Sequence, residues 1–491
     1  MSSTQRAADL PTIRRELFYG GSFRASLSGE VLPTVNPANG QDLGSVPAAS
    51  AADVDSAVNA AGAGFRCWRR VVPADRAAAL REMARRLRVH AEDLALIDTL
   101  DSGGPIAVMR RDVETSAQTL EFFAGLVTEI KGETIPFGDG NLNYTVREPW
   151  GVVGCILAYN HPLLFAVGRI APALAAGNSV VVKPADQTPL SALHLAEIWA
   201  DVLPAGVFNV VTGDRACGAA LAGHPGIAKS SLVGSIATGK AVMRAAAEHV
   251  RPVALELGGK NAMIVCPDAR KDAVVAAAVM GMNLALAGQS CGSITRIFLH
   301  DSIHDEMVSR IAEAVAAVRP GLPELDDTRM GPLISAAQRE KVMDYIRLGR
   351  EEGATLRTGG GIPDDPRFAG GYYVEPTVFS DVTMDMRLAR EEIFGPVLSI
   401  LRWSDEETVL GEANMLDYGL TASVFTQDLE TAHRLASRVE AGYVWVNQVG
   451  YHFLGAPFGG AKQSGLGREE CLDELLDCTQ VKNVNIRFLG A

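Results

Sequence analysis

The chain has 491 residues, too many for one ordinary core, and 47% of them are hydrophobic, which predicts two or three well-packed domains. The 58 acidic residues outnumber the 45 basic ones, and the formal net charge of −13 repels polyanions. We therefore expect neither nucleic acid nor an anionic membrane as a partner.

The N-terminal part of the chain predicts helices followed by a hairpin. The first residues, MSSTQRAADLPTIRRELF, have no apolar run behind their charges, so we expect no secretory signal and a cytoplasmic protein. Residues 51–68 and 74–100 have helical apolar spacing, with Pro73 marking the break between them. The segment GETIPFGDGNLNYTVREPWG, residues 132–151, predicts a hairpin that stands away from the core.

The middle of the chain predicts a doubly wound parallel sheet. From Gly151 to Gly259, short β-branched runs alternate with Ala-rich helical segments, and a second α/β region follows from about Lys260. The tail VKNVNIRFL alternates like a strand. Ligands of such sheets bind at the carboxyl ends of the strands, so candidate residues are sought there.

The cysteine spacing and the apolar runs argue against metal-ribbon, disulfide-rich and membrane-spanning proteins. The seven cysteines lack C-x-x-C spacing, which argues against a zinc ribbon and a disulfide framework, and most are expected to be small core residues. The apolar run of residues 273–288 is broken by Asn283 and is shorter than the ~20 residues of a membrane span. It predicts a buried helix instead.

The stretch LVGSIATGKAVM, residues 232–243, is one residue short of a nucleotide-triphosphate loop. Gly234, Gly239 and Lys240 fit G-x-x-x-x-G-K-[ST], but Ala241 has no hydroxyl to hold magnesium. A helix N-terminus after a strand can hold a phosphate without metal, and the sheet context favours a dinucleotide pyrophosphate. A plain strand-to-helix turn is the alternative.

A second pair of polar residues follows an earlier strand. In VVVKPADQTP, Lys183 and Asp186 come just after the strand, where they can hydrogen-bond ribose hydroxyls. A solvated loop with a helix-capping aspartate is the alternative interpretation.

Three residues are candidates for a catalytic role. Cys291 lies among small residues in AGQSCGSI, at the expected end of the buried helix, where a nearby N–H could lower its pKa. Glu256 ends a strand among apolar residues, so it is a candidate general base with a raised pKa. Asn160 follows another strand and could hold an oxyanion. A lone cysteine, however, is more often a core residue.

Together these segments resemble the aldehyde dehydrogenase superfamily over nearly the whole chain. The resemblance rests on seven motifs in the family's order: PWGVVGCILAYNHP, GNSVVVKPAD, GSIATG, ALELGGKNA, GQSCGS, EEIFGPV and PFGGAKQSGLGRE. It implies an α/β aldehyde-dehydrogenase-like fold with two doubly wound parallel-sheet domains and a β-hairpin oligomerisation element. The implied division is an NAD-binding domain (1–129 and 150–257), a catalytic domain (258–475) and the oligomerisation element (130–149 and 476–491) of a homodimer or homotetramer.

The resemblance also implies a reaction and its residues. Cys291 matches the nucleophile that attacks the aldehyde, Asn160 and the Cys291 N–H the oxyanion site, and Glu256 the base that hydrolyses the thioester. The cofactor is expected to be NAD, with NADP as the alternative, and no metal is expected. The positions implied to contact the cofactor are Lys183, Asp186, Gly234, Ser235, Gly239, Gly258, Glu392 and Phe394.

Departures from the family pattern bear on the substrate, a small-molecule aldehyde. Gly168 and Ala285 are small where the aminoaldehyde branch commonly has aromatic residues, and Asp186 replaces a more usual glutamate. Ala287 replaces an asparagine often found in the cysteine loop. We expect a pocket for uncharged, bulky aldehydes, lined by His161, Gly168, Ser290 and Phe458, with Tyr451 near its entrance.

Three other functions fit the sequence less well. A coenzyme-A-acylating relative would not need Glu256 for hydrolysis. A non-enzymatic member of the fold would be expected to lose Cys291 or Asn160. A cysteine hydrolase would need a Cys-His-Asn/Asp signature, which is not evident in the sequence.

Overall fold

The computed structural model describes residues 10–488. The start of the N-terminal segment that argued against a secretory signal, and the last three residues of the expected oligomerisation element, lie outside this range. The helices are α1 (Ala51–Trp68), α2 (Pro73–Val89), α3 (Ala91–Ser102), α4 (Ile106–Leu126), α5 (Pro162–Ala176), α6 (Leu190–Trp199), α7 (Arg215–Gly223), α8 (Ile236–Ala247), α9 (Lys271–Gly281), α10 (His304–Ala316), α11 (Ala336–Glu351), α12 (Arg387–Arg390), α13 (Glu406–Asn414), α14 (Leu429–Arg438) and α15 (Leu472–Asp477).

The strands form four sheets. They are β1 (Leu17–Tyr19), β2 (Ser22–Arg24), β3 (Val31–Val35), β4 (Asp42–Pro47), β5 (Thr134–Ile135), β6 (Asn141–Pro149), β7 (Val152–Ile156), β8 (Ser179–Lys183), β9 (Phe208–Val210), β10 (Lys229–Val233), β11 (Val253–Glu256), β12 (Asn261–Val265), β13 (Ile294–His300), β14 (Thr355–Thr358), β15 (Thr377–Ser380), β16 (Val397–Trp403), β17 (Thr421–Phe425), β18 (Tyr443–Val446), β19 (Gly465–Leu466) and β20 (Thr479–Arg487).

The first large sheet has eight strands in the order β19-β11-β10-β7-β8-β9-β1-β2. Strands β7 to β11 pair in parallel. At one edge β19 is antiparallel to β11, and at the other β1 is antiparallel to both β9 and the edge strand β2. The second sheet has seven strands in the order β14-β15-β16-β13-β12-β17-β18, parallel except for β14. The expected fold class, two doubly wound parallel sheets, is confirmed.

The crossovers explain why these sheets are parallel. Between β7 and β8 the chain runs through α5, most of whose residues are buried, and α6 makes the next crossover to β9. Strands β8, β9, β10 and β12 are buried along their whole length, as expected of parallel strands covered on both faces, although β10 carries Lys229, Ser230 and Ser231. The division of the chain into domains stays a prediction, and β19, from the stretch assigned to the catalytic domain, completes the first sheet.

A smaller sheet contains the expected hairpin. Strands β5 and β6 are antiparallel, and β20 pairs with β6 along nine residues, from Thr479↔Pro149 to Arg487↔Asn141. Exposed apolar side chains lie on this sheet and beside it, including Ile135 (41% exposed), Phe137 (66%) and Val481 (58%). The remaining small sheet is the pair β3–β4.

Three details of the helices differ from the expectations. Pro73 is the first residue of α2, because its missing N–H is not needed there, and the segment expected after it divides at His90 into α2 and α3. The expected buried helix ends at Gly281, and only one face of α9 is buried, with Met280 48% exposed. No helix of residues 10–488 has both the length and the apolar character of a membrane span.

Candidate active site

The candidate residues converge at the carboxyl edge of the first sheet. Lys183 is the last residue of β8, Gly234 and Ser235 directly follow β10, and Glu256 is the last residue of β11. Asn160 lies on the loop between β7 and α5 and is buried. Because these parallel strands are adjacent, their carboxyl ends bring the side chains to one edge of the sheet.

Glu256 is a buried carboxylate without a hydrogen-bond partner among the described residues. Only 4% of the residue is exposed, and neither Oε1 nor Oε2 has a partner there. Burial raises its pKa well above the usual glutamate range, and the nearby Glu469 carboxylate adds to the shift. A Cβ on Gly459 would lie 3.0 Å from Oε1, so the loop that covers this carboxylate approaches it closely. These features suit a proton acceptor.

A buried ion cluster lies beside Glu256 and was missed in the sequence. Arg169 of α5 is ion-paired with Glu469, and its guanidinium lies 3.6 Å from Glu474. Its positive charge opposes the rise of the Glu256 pKa. An arginine within the apolar segment FAVGRIAPALAA was the available signal, because a buried charge needs a partner.

Cys291 lies on a loop and not, as expected, at the end of a helix. Helix α9 ends ten residues earlier, and a short 3₁₀ turn, Leu284–Leu286, separates the two. Ala287 in this loop has a left-handed φ of 52°, a conformation that asparagine tolerates better than alanine. Asn261 Nδ2 donates to Cys291 O at 2.7 Å and to Ser293 O at 2.8 Å, which holds the loop against β12.

The environment of the Cys291 thiol is the opposite of the expected activating one. Burial raises its pKa to about 12, and the carboxylates of Glu256 and Glu392 add to the shift. The Gly292 N–H opposes this shift but does not outweigh it. The thiolate is therefore rare in this state, and deprotonation needs a base or a nearby positive charge.

His161 is oriented by a residue of α4. Its Nδ1 lies 2.6 Å from Asp112 Oδ2, and its ring packs edge-on against Phe165. Burial opposes the charged imidazolium, but the Asp112 carboxylate outweighs it and raises the pKa of His161. The role of His161 in the pocket wall stays a prediction, and its contact with Asp112 was not predicted.

The turn after β10 has the geometry of a capped helix N-terminus. Ser235 caps α8, its Oγ accepting from Thr238 N at 3.2 Å, and Gly234 N donates to Glu256 O at 2.9 Å. Gly239 is buried, and a Cβ there would lie 2.6 Å from Leu257 Cδ1. Gly239 thus lets α8 pack closely on the chain after β11, and the first turn of α8 leaves N–H groups for an anion.

The two residues after β8 differ in exposure. Lys183 is buried, its Nζ donates to Pro184 O at 3.0 Å, and burial lowers its pKa. Asp186 is exposed. The alternative role of Asp186 as the cap of the next helix is wrong, because Pro189 precedes α6 and Asp101 Oδ2 accepts from Leu190 N.

Glu392 and Phe394 lie beside the chain segments that follow β11 and β7. Gly259 N donates to Glu392 Oε1 at 2.9 Å, and a Cβ on Gly258 would lie 2.1 Å from Glu392 Oε2. Only glycine at 258 therefore allows this contact. Phe394 has a left-handed φ of 58°, and its ring packs edge-on against Tyr159, 5.9 Å between centroids.

The residues expected to line the substrate pocket differ in how tightly they are packed and how far they are exposed. A Cβ on Gly168 would meet nothing within 4 Å, so open space lies beside this part of α5. Phe458 is buried and packs against His452 (4.5 Å between centroids) and Tyr443 (5.6 Å). Ser290 is half-buried, and Tyr451 is 53% exposed.

Comparison with known proteins agrees with this geometry. The aldehyde dehydrogenase family profile matches residues 23–484. Aldehyde dehydrogenase tropH of Talaromyces stipitatus is 49% identical over 486 residues, covering 98% of this chain and 94% of that protein. An NAD⁺ complex of an aldehyde dehydrogenase from Bacillus cereus has 38% identity and a TM-score of 0.94, with 98% of each chain covered.

A second solved structure gives the same result. PnpE of Pseudomonas sp. WBC-3, in complex with nicotinamide adenine dinucleotide, is 38% identical with a TM-score of 0.94, covering 96% of this chain and 98% of that one. The chain belongs to the aldehyde dehydrogenase family, as its motifs predicted. It is an NAD(P)-dependent aldehyde dehydrogenase.

Proposed function

We propose that the protein oxidises an aldehyde to the carboxylic acid with NAD, through a thiohemiacetal and a thioester on Cys291. The observation that carries this proposal is the buried Glu256 carboxylate, which has no hydrogen-bond partner among residues 10–488 and lies near enough to the half-buried Cys291 thiol for its charge to raise the thiol pKa. An acylating relative would have no use for such a base, whereas hydrolysis needs one.

The nucleophile must first lose its proton. Burial and the nearby carboxylates raise the pKa of the Cys291 thiol, so its attack needs a base or a nearby positive charge. The thiolate then attacks the aldehyde carbon. The Asn160 side chain and the Cys291 N–H are the donors that would hold the oxyanion, in a buried setting where such hydrogen bonds are strong.

Hydrolysis of the thioester is assigned to Glu256. Its raised pKa makes it a stronger base than an exposed glutamate. The loop at Gly459 approaches Oε1 so closely that a side chain at this position would crowd the carboxylate. Glu256 deprotonates a water molecule, which attacks the carbonyl carbon of the thioester. The carbon–sulfur bond then breaks, which releases the carboxylic acid and frees Cys291. The charges of the Arg169–Glu469 pair act on this carboxylate in opposite directions, Glu469 raising its pKa and Arg169 lowering it.

The residues at the carboxyl edge of the first sheet, together with Glu392 and Phe394, fit a dinucleotide. Lys183 and Asp186 would bind the adenosine ribose, Gly234, Ser235 and the α8 N-terminus the pyrophosphate, and Glu392 and Phe394 the nicotinamide ribose. Gly258 and Gly239 contribute by close packing around these contacts. When bound, NAD supplies the hydride acceptor of the reaction. We infer a preference for NAD over NADP from the Asp186 carboxylate, which repels a 2′-phosphate.

The substrate pocket is assigned to His161, Gly168, Ser290 and Phe458. The open space beside Gly168 supports a bulky, uncharged aldehyde, aromatic or medium-chain aliphatic, bound by burial of apolar area at about 25 cal/mol per Å². We also propose a homodimer or homotetramer, in which the exposed sheet β5–β6–β20 is covered.

Replacement of the nucleophile tests the proposed reaction. Cys291→Ala should lower kcat by more than about a thousandfold, because the covalent step is lost, while the Kd for NAD stays close to the wild-type value. Cys67→Ala, at an exposed cysteine, is the matched control and should keep full turnover. Residual turnover of Cys291→Ala within an order of magnitude of the wild type would overturn the assignment.

A further inference from the structure

A histidine-rich cluster lies outside the active site, where α2, α3 and α6 meet. His90 joins α2 to α3, Asp93 is in the first turn of α3, and His194 is in the middle of α6. One ligand-capable atom of each residue lies within 4.8 Å of those of the other two. The His90 and His194 rings meet edge-on with centroids 5.8 Å apart. No step of the proposed reaction uses these residues.

His194 is the residue that distinguishes this cluster from an ordinary surface group. It is 6% exposed, and its Nε2 has no hydrogen-bond partner among residues 10–488. Its other ring nitrogen, Nδ1, lies 3.3 Å from Glu197 Oε2. A hydrogen bond from Nδ1–H to this carboxylate leaves the Nε2 lone pair free. Metal-binding histidines are commonly oriented in this way, by a carboxylate on the second nitrogen.

We propose that His90, Asp93 and His194 bind one divalent transition-metal ion, with Zn²⁺ the best match to two imidazoles and a carboxylate. A water molecule would complete a tetrahedral set of four ligands. Tetrahedral zinc at the usual bond lengths places its ligand atoms about 3.3 Å apart, so the side chains close in by rotation. His90 and Asp93 are the ones that move, because they are less buried than His194.

The carboxylates around the cluster match the charge of a divalent cation. Together the Asp93 and Glu197 carboxylates balance the two positive charges of the ion.

The backbone around the cluster is already held in place. Arg86 of α2 is ion-paired with Asp201 just after α6, and its Nη1 donates to Ile198 O at 2.8 Å. Trp199 Nε1 donates to Met83 O at 3.3 Å. Bound metal would join α3 to α6 at the same corner, and binding to the folded state alone raises its stability.

The test is Zn²⁺ titration by isothermal calorimetry of the untagged full-length protein after removal of metal by a chelator. All variants carry Cys291→Ala, so that the catalytic thiol is not a zinc ligand. The expected result is one Zn²⁺ per chain, a rise of the melting temperature with Zn²⁺, and no comparable response to Mg²⁺. His194→Gln should weaken binding by more than about tenfold.

Matched variants separate a metal site from a folding effect. His90→Gln and Asp93→Asn change less buried residues and should weaken Zn²⁺ binding while the melting temperature without metal stays unchanged. His433→Gln, at an exposed histidine of α14, should leave binding intact. Co²⁺ bound in the same site should give tetrahedral absorption without a thiolate band. No Zn²⁺ binding, or equal binding by the wild-type cluster, His90→Gln and Asp93→Asn, would overturn the proposal.

Discussion

Glu256 shows how one residue acquires its chemistry from its place in the fold. A glutamate at the end of an apolar strand carries a charge that burial disfavours, and no donor among residues 10–488 compensates it. Its pKa rises for that reason, and Glu469 raises it further. The same carboxylates raise the pKa of Cys291, so the proposed nucleophile and the proposed base are both affected by the same burial and charges.

Replacement of this carboxylate should separate the two halves of the reaction. Glu256→Gln should slow thioester hydrolysis more than hydride transfer, because an amide cannot deprotonate water, and stopped-flow absorbance should show a burst of NADH followed by a slow steady state. Glu256→Asp keeps a carboxylate and should retain more of the steady-state rate. Equal loss of both phases would show that Glu256 is not mainly the hydrolytic base.

The raised pKa of Glu256 also predicts a pH dependence. Its carboxylate form is populated only above the usual glutamate range, so steady-state turnover should fall as the pH is lowered through this raised pKa. In Glu256→Gln, the slow steady-state rate should no longer fall as the pH is lowered through this range. A pH–rate profile of kcat for the two proteins makes the comparison, and an unchanged acidic limb in the variant would assign it to another group.

Asp186 is the residue on which cofactor preference should depend. Wild-type kcat/KM should be higher with NAD than with NADP, and Asp186→Ala should narrow the ratio by about fivefold, since an exposed like-charge pair is worth about 1 kcal/mol. Gln187→Ala, at the exposed neighbour, is the control. Equal kcat/KM for both cofactors in the wild type would contradict the inferred preference.

Helix α5 shows how a single element contributes to several parts of the site. Its N-terminal side carries His161, its middle has the open space beside Gly168, and Arg169 on the same helix is paired with Glu469. Asp98 of α3 stabilises its start, because Leu163 N donates to Asp98 Oδ2 at 3.1 Å. A substitution on this helix should therefore change the proposed substrate pocket through packing.

The substrate prediction belongs to this helix. Measured under the same conditions, kcat/KM should be higher for benzaldehyde and hexanal than for betaine aldehyde. Gly168 and Ala285 have no aromatic ring, so they cannot make the cation–π contacts, worth about 0.5–2 kcal/mol each, that would bind a quaternary ammonium group. Gly168→Ala should keep this order, since a Cβ there meets nothing within 4 Å. Gly168→Trp should reduce kcat/KM for benzaldehyde by filling the space. Betaine aldehyde as the best substrate of the wild type would show that the small residues were misinterpreted.

At the scale of the whole molecule, the three-stranded sheet has open edges and exposed apolar side chains on it and beside it. Strands β5, β6 and β20 form a sheet of three strands, and Phe137 and Val481 are more than half exposed. Unpaired strand edges favour association with another chain. Light scattering of the purified protein should therefore give the mass of a dimer or tetramer, and Val481→Lys should shift it toward the monomer. A monomeric mass for the wild type would refute the proposed assembly.

The sequence by itself determined the elements whose causes are local. The alternation of β-branched and Ala-rich segments from Gly151 to Gly259 predicted the parallel strands, and turn residues predicted the hairpin. Motifs identified the family and the candidate residues Cys291, Glu256 and Asn160, whose roles stay predictions. These features could be predicted because periodicity and motif spacing are properties of neighbouring residues.

Only the tertiary structure decided what surrounds those residues. The pairing of Arg169 with Glu469, the Asp112 carboxylate on His161 and the meeting of His90 with His194 join residues far apart in the chain. The sequence suggested an activated Cys291 at a helix end, but the thiol lies on a loop after the helix, among buried carboxylates. A pKa depends on burial and on charges brought near by folding, and neither is a property of a residue's neighbours in sequence.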